Sequence, residues 1–162
     1  MATKTRSTGH ARALRTRITK SRAGFRITAD AMLIGGDLLI ALWGGSRPHI
    51  GAAAMATPRP SLDDPRLTSA TSSVLTRIGH KEDEIVKHVS ERLAAALNTH
   101  VVVVAGIHWD GLSPGEIVHI REACDDIVDT LIQRRAVAVR DGHNDTKGKQ
   151  TRGARDRRFT RA

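Results

Sequence analysis

Four cationic side chains stand beside turn residues in the middle of the chain and could together hold a phosphate. They are Arg47, Arg59, Arg77 and Lys81, each close to a glycine, proline or histidine at a predicted strand end. Arginine presents a planar fork to phosphate oxygens, and glycine leaves backbone N–H groups free to point at an anion. With Ser61 close by, the pattern indicates an anion site, although solvated loop charges would give the same residue types.

Three histidines, His49, His80 and His108, fall where predicted strands meet loops. Histidines gathered at one end of a sheet can bind a metal ion. Their spacing of 31 and then 28 residues matches no recognised ligand pattern, and hydrogen bonding at strand ends explains them as well. The sequence therefore assigns no metal site, and whether these three side chains bind a metal stays open.

The segment Gly79–Glu84 opens the first long predicted helix. Its acidic residues are favourable with the helix dipole whatever the function, whereas His80 and Lys81 oppose that dipole. The chain carries no P-loop, GxSxG, HExxH or GxGxxG motif. Cys124, the only cysteine, lies on the apolar face of a predicted helix and is expected in the core. These patterns favour a binding protein over an enzyme.

The strands that position these residues are predicted from apolar runs between turn signals. Two runs joined by Gly35 and Gly36 predict a β-hairpin with a primed turn. Residues 50–57 and 69–78 predict two more strands, separated by a proline-rich loop over 58–67. Val101–Val104 is apolar on both faces, which is typical of a central strand.

Two amphipathic helices complete the predicted fold. Apolar residues at four-residue spacing predict the first over residues 81–98, and a capping box at Ser113–Glu116 starts the second. The expected class is α+β: a mostly antiparallel sheet of five or six strands with two long helices on one face. The uncovered face suits a homodimer.

The net charge of +9 belongs to the ends of the chain. Residues 1–26 hold eight Lys or Arg and no acid, and residues 140–162 hold eight against three acids. We expect disordered basic tails over 1–23 and 140–162, with one folded domain at 24–139. The lone cysteine and the lack of a long apolar run predict a cytoplasmic protein without a membrane span.

Five segments between residues 24 and 135 carry a family likeness. They are GGDLLIALWGG, RPHIGAAAMATPRPSL, the strand SATSS at 69–73, GHKEDEIVKHVSERLAAALN and VVVVAGIHWDGLSPGEI. In this order they resemble the LpdD-like prenylated-flavin chaperones, formerly called the small D subunit of hydroxyarylic-acid decarboxylases. That family is similar in fold to the small proteasome-assembly chaperones.

The resemblance implies a non-catalytic carrier of prenylated FMN, or FMN, that serves a UbiD-type reversible decarboxylase. A flavin prenyltransferase would be a transient partner. Matching motif positions imply cofactor contacts at His49, Gly51, Arg59, Ser61, His80, Lys81 and His108. Arg59, Ser61 and Lys81 would hold the phosphate, with the histidines near the isoalloxazine. Only Trp43 or Trp109 could stack on the ring, so much of the contact would be aliphatic or across a dimer interface.

Two other functions stay open. The chain could be an accessory structural subunit of a decarboxylase complex, or its basic tails could bind nucleic acid through phosphate contacts. With two tryptophans, two phenylalanines and no tyrosine, a base-stacking platform is hard to build. The folded part therefore gives no support to a dedicated nucleic-acid module.

Overall fold

The computed structural model describes the backbone of residues 15–152 and the side chains of residues 15–134. Six strands and two helices make up this part of the chain. In chain order they are β1 (Arg15–Arg22), β2 (Phe25–Ile34), β3 (Asp37–Gly45), β4 (Ala52–Pro60), β5 (Thr68–Thr76), α1 (Asp83–Leu97), β6 (Val101–His108) and α2 (Pro114–Arg152).

All six strands belong to one sheet in the order β1-β2-β3-β6-β4-β5. β3 and β6 run parallel, and the other neighbouring pairs of the described sheet are antiparallel. One row of paired residues crosses five strands on the buried face: Ile18, Ala29, Leu42, Ala105 and Ala52. α1 packs on β4 and β5 and α2 on β1 and β2, so both cover this face. The predicted α+β architecture is confirmed.

Local signals in the sequence fix several boundaries. The β2–β3 hairpin turns at Gly35 and Gly36, and Gly35 has a φ of 62° that suits the first central position of a primed turn. Ser113 and Glu116 form the predicted capping box, in which the Glu116 carboxylate accepts from the Ser113 backbone N–H at 2.8 Å. β6 lies inside the sheet between β3 and β4, as its run of valines predicts.

Residues 15–22, which the sequence analysis placed in a disordered tail, form the edge strand β1. The prediction was wrong there because the strand has one buried apolar side chain, Ile18, and so gives almost no alternating pattern. Charged side chains on an edge strand are common because they discourage pairing with other chains. Residues 1–14 of the predicted tail lie outside the described part of the chain.

Ion pairs hold β1 in place where apolar contacts are few. Arg15 and Arg17 both donate to Asp30 on β2, at 2.9 Å and 2.7 Å. These hydrogen bonds, chiefly that from Arg17, lower the pKa of Asp30 to about 2. Arg22 makes a two-pronged pair with Asp126 on α2, with distances of 2.7 Å and 2.8 Å. The strand is thereby tied both to its neighbour and to the helix layer.

Two other boundaries differ from the expectation. β4 continues to Pro60, where a loop was predicted. After Ala56 the strand pairs with β5 but no longer with β6, and a strand with one neighbour tolerates prolines because it needs fewer backbone N–H donors. The backbone of α2 stays helical to Arg152, where a tail was predicted from residue 140. The tail was predicted from the low apolar content of residues 140–162, which argues against a core but does not prevent a local helix. Within residues 15–152, neither helix has the length and apolar character needed to cross a membrane.

The core between sheet and helices is built of β-branched and aliphatic side chains. Its largest fully buried members from the sheet and the helices are Ile27, Ile40, Val101, Val103, Val86, Val89, Leu93, Ile127 and Val128. Cys124 is 2% exposed, and burial raises the pKa of its thiol to about 12. Its predicted place in the core is confirmed.

Candidate functional site

Most of the candidate residues lie at one end of the sheet. β3, β5 and β6 end there, and strand register places Gly45 beside His108 and Thr76 beside Ala52. We call this the site end and define it by residues 45–51, 77–82 and 106–112. Its loops carry all three histidines singled out from the sequence, together with Arg47, Arg77 and Lys81.

His49, His80 and Glu82 converge at the site end. Nε2 of His49 lies 2.9 Å from Nδ1 of His80 and 3.2 Å from Oε1 of Glu82. Nδ1 of His80 lies 3.5 Å from Oε2 of Glu82. Glu82 is only 6% exposed, and its Oε2 has no hydrogen-bond partner among the described residues. A buried carboxylate thus faces two imidazoles with part of its bonding capacity unused.

The backbone around His49 settles which ring nitrogen carries a proton. Nδ1 of His49 lies 3.0 Å from the carbonyl oxygen of Arg47, which can only accept a hydrogen bond. Nδ1 is therefore the donor, and a neutral His49 presents a lone pair at Nε2, the atom that faces His80 and Glu82.

Two glycines make room for this cluster. A Cβ atom placed on Gly51 would lie 2.5 Å from Oε2 of Glu82, and one placed on Gly106 would collide with the backbone of His49. The N–H of Gly51 donates to the carbonyl of Ala105 at 2.8 Å, which fixes the loop against β6. The absent side chains let the loop approach the strand and let the carboxylate sit between them.

Sequence reasoning missed Glu82 as a site residue because it treated the acid as part of the first helical turn. Glu82 does precede α1, but its side chain makes no capping hydrogen bond. The carboxylate turns inward instead, where Oε1 accepts from the N–H of Ile107 at 3.3 Å. The available signal was an acidic residue two positions after a strand-end histidine, His80, at the helix start.

His108 lies next to the cluster but faces a different pair of side chains. Its ring centre is 6.0 Å from that of His49, while Nε2 lies 2.6 Å from Nη2 of Arg47 and 3.0 Å from Oδ1 of Asp110. Arg47 also donates to Asp110 at 2.7 Å. The hydrogen bond from His108, followed by the charge of Arg47, lowers the pKa of Asp110. The structure thus brings the three histidines together without giving them one common set of partners.

A cleft of about 260 Å³ lies between the first turns of α1 and α2. Polar side chains at its edge are His80, Lys81, Glu82 and His108. Its apolar lining consists of Ile85, Ile107, Trp109, Leu112, Ile117 and Ile120. The Trp109 ring is steadied by an edge-to-face contact with Phe25, with ring centres 5.1 Å apart. The cleft combines a mostly apolar wall with a polar and cationic edge.

Arg59 and Ser61 lie at the other end of β4. Arg59 lies eight positions after Gly51 in the chain, which corresponds to roughly 26 Å at about 3.3 Å per strand residue. Arg59 donates to the Thr71 hydroxyl at 2.7 Å and to the Pro60 carbonyl at 2.9 Å. Within one chain Arg59 cannot share a phosphate with a residue of the cleft, so its predicted role requires a second chain and stays a prediction.

The fold and the site end together define a small α+β binding protein with a partly apolar cleft. The family model for the prenylated flavin chaperone LpdD-like domain matches residues 21–136, and the chain belongs to this family. Protein LpdD of Lactiplantibacillus plantarum is 27% identical over 114 residues, which are 70% of this chain and 80% of that protein.

A solved structure titled "Crystal Structure of a Novel Chaperone Complex for Yeast 20S Proteasome Assembly" also matches. It aligns with a TM-score of 0.47 and 13% identity, covering 74% of this chain and 98% of that one. The family and the LpdD relative support a chaperone role and a non-catalytic protein, as the resemblance implied.

Proposed function

We propose that this protein binds prenylated FMN and delivers it to a UbiD-type decarboxylase, after a flavin prenyltransferase has made it. The observation that carries the proposal is the lining of the cleft, where aliphatic side chains and one indole meet a lysine and two imidazoles. Prenylated FMN has an apolar end formed by its dimethylbenzene and prenyl-derived rings, a pyrimidine edge with hydrogen-bonding groups, and a ribityl arm that ends in one phosphate. Such a ligand needs an apolar wall, polar partners and a cationic contact.

The apolar wall would hold the ring system. Ile117 is 42% exposed, although it lies on the same face of α2 as the buried Ile120 and Cys124, so apolar surface is available for a ligand at this point. Covering apolar area contributes about 25 cal/mol per Å². Trp109, held in position by Phe25, is the side chain that can stack on the isoalloxazine.

In a site formed by a single chain, Lys81 would bind the phosphate. It lines the cleft and is exposed, and a charge-assisted hydrogen bond to phosphate is worth about 1.5–3 kcal/mol. Arg59 and Ser61 would contribute only from a second copy of the chain. The helix-free sheet face, where Met55 is 53% and Leu75 78% exposed, offers apolar surface for such a homodimer.

The same features would suit delivery of the cofactor. The cleft is partly open to solvent, and its mostly apolar wall would leave few directional polar contacts to break on release. A carrier of this kind retains the cofactor in solution and gives it up to an enzyme that binds it more tightly. An accessory structural subunit would differ in forming a stable complex with the decarboxylase.

The test is retention of prenylated FMN by the full chain after anaerobic mixing and desalting, followed by absorption. We expect about one cofactor per chain or per dimer, and retention of FMN under the same treatment serves as the comparison. Lys81→Ala should weaken binding by about 10-fold or more, as one charge-assisted contact is lost. Lys87→Ala is the matched control, because Lys87 lies outside the cleft and pairs with Glu91.

Further measurements distinguish a site within one chain from a shared site, and a carrier from an accessory subunit. Arg59→Ala should weaken binding only if two chains share the site. Loaded protein should activate a UbiD-type apoenzyme faster than free cofactor does. If the wild type retains neither flavin, the carrier function is wrong, and a stable complex with the decarboxylase would then support the accessory subunit.

A further inference from the structure

We propose that His49, His80 and Glu82 form a binding site for a divalent transition-metal ion, with Nε2 of His49, Nδ1 of His80 and the Glu82 carboxylate as ligands. The sequence alone points to no metal at these residues, and the three histidines that it singles out include His108 instead of Glu82. The donor set of two imidazoles and one carboxylate suits zinc and its first-row neighbours.

The spacing of the donor atoms matches a single ion. The two imidazole nitrogens lie 2.9 Å apart, Nε2 of His49 lies 3.2 Å from Oε1 of Glu82, and Nδ1 of His80 lies 3.5 Å from Oε2 of the same carboxylate. Ligands bound to zinc at about 2.0–2.1 Å in a tetrahedron lie roughly 3.3–3.4 Å from one another. Each of these nitrogen–nitrogen and nitrogen–oxygen distances therefore lies within about half an ångström of the separation that ligands of one ion have.

The chemistry of the converging atoms suits a cation between them. In a neutral His49 whose proton is donated from Nδ1 to the carbonyl of Arg47, Nε2 turns a lone pair toward Nδ1 of His80 and the carboxylate of Glu82. Two acceptor atoms held 3.2 Å apart repel each other unless a proton or a metal ion lies between them. A backbone carbonyl behind a histidine is also the partner that metal-binding histidines commonly have.

Glu82 supplies the second, independent observation. Its side chain is more than nine-tenths buried, and Oε2 has no hydrogen-bond partner in the described part of the chain. A carboxylate left buried with an unused oxygen costs free energy, which an ion at this position would recover. Gly51 keeps the position next to Oε2 free of any side chain.

The site also has a route to solvent and a place for a further ligand. His80 and Glu82 both line the cleft, so an ion held by them would lie at its edge with a coordination position left over from the three protein ligands. The His108, Arg47 and Asp110 group lies beside the cluster and outside this ligand set.

The full chain is first freed of metal with a chelator, and the chelator is then removed. Binding of Zn²⁺ is measured by calorimetry, and binding of Co²⁺ is measured by visible absorption. We expect one tight ion per chain and the visible bands of a low-coordinate cobalt complex with nitrogen and oxygen ligands. His49→Ala and Glu82→Gln should weaken binding by more than the 10–100-fold that changes behind the ligands typically cause. His88→Ala, which removes an exposed histidine paired with Asp125, should bind as the wild type does.

Absence of a tight ion in the wild type, or affinity unchanged in His49→Ala and Glu82→Gln, overturns the proposal. Should the variants fold poorly, histidine side-chain NMR of the wild type decides. Zinc should shift the ring signals of His49 and His80 and leave those of His88 in place, and the opposite result rejects the site. No flavin is used, so the outcome is independent of the carrier function.

Discussion

Replacing Gly51 with alanine tests the packing of the buried carboxylate at the site end. The backbone of Gly51 does not have a positive φ, so alanine can adopt it without conformational strain. The whole effect should come from the new methyl group, which would lie 2.5 Å from Oε2 and 2.6 Å from Cδ of Glu82. The carboxylate has little space to move into, because His49, His80 and the N–H of Ile107 surround it.

The magnitude follows from two opposing effects. Overpacking a filled interior costs about 1–3 kcal/mol, and the lower chain entropy of alanine in the unfolded state returns about 0.4–1 kcal/mol. We expect a net loss of about 1–2 kcal/mol in the free energy of unfolding for the metal-free protein. Gly106→Ala should cost more, since its methyl group meets the backbone of His49 and a backbone cannot swing aside.

Urea unfolding of four proteins completes a double-mutant cycle: wild type, Gly51→Ala, Glu82→Ala and the double variant. Without the carboxylate the methyl group has space, so Gly51→Ala should be neutral or slightly stabilising in the Glu82→Ala background. Gly36→Ala is the control, because a Cβ there meets nothing within 4 Å. An equal cost of Gly51→Ala in both backgrounds would refute the packing argument.

Two further predictions concern groups far from the site. Asp30 has a folded pKa of about 2 against an ordinary 3.8, so its contribution to stability is present above pH 3.8 and is lost as the pH falls toward 2. In Asp30→Asn, the fall in unfolding free energy below about pH 4 should be smaller by about 1 kcal/mol. The effect is modest because solvent screens the largely exposed arginine partners of Asp30. A fall as large as that of the wild type would contradict this prediction. The thiol of Cys124, with its pKa raised to about 12, should resist a thiol reagent at neutral pH until guanidinium unfolds the chain; prompt reaction of the native protein would show that it is not buried.

The sequence predicted those elements whose signal is local. The Gly35–Gly36 turn, the valine run of β6 and the capping box at Ser113 each depend on a few adjacent residues, and each is where it was expected. β1 was missed because Ile18 is its one buried apolar residue, so its charged side chains find their partners on other elements, at Asp30 on β2 and at Asp126 on α2, 104 residues from Arg22. Such long-range pairs leave no periodic trace in the sequence.

The candidate site was predictable only in part. Strand ends are visible in the sequence, so the loops of His49, His80 and His108 could be expected at one edge. The inward turn of Glu82 could not, because a residue at a helix start can face solvent or core. Arg59 lies far from that edge because β4 continues to Pro60. The sequence predicted a loop there because of Pro58 and Pro60.

The scarcity of aromatic residues gives the protein a built-in optical reporter. Its fluorescence comes from two indoles, since the chain has no tyrosine. Trp109 borders the cleft, while Trp43 lies under the guanidinium of Arg17, 5.5 Å from the ring centre. Flavins absorb at the wavelengths at which tryptophan emits, so energy transfer from Trp109 would report an occupied cleft. Loading and release could then be followed in real time without a label, with Trp43→Phe removing the second emitter.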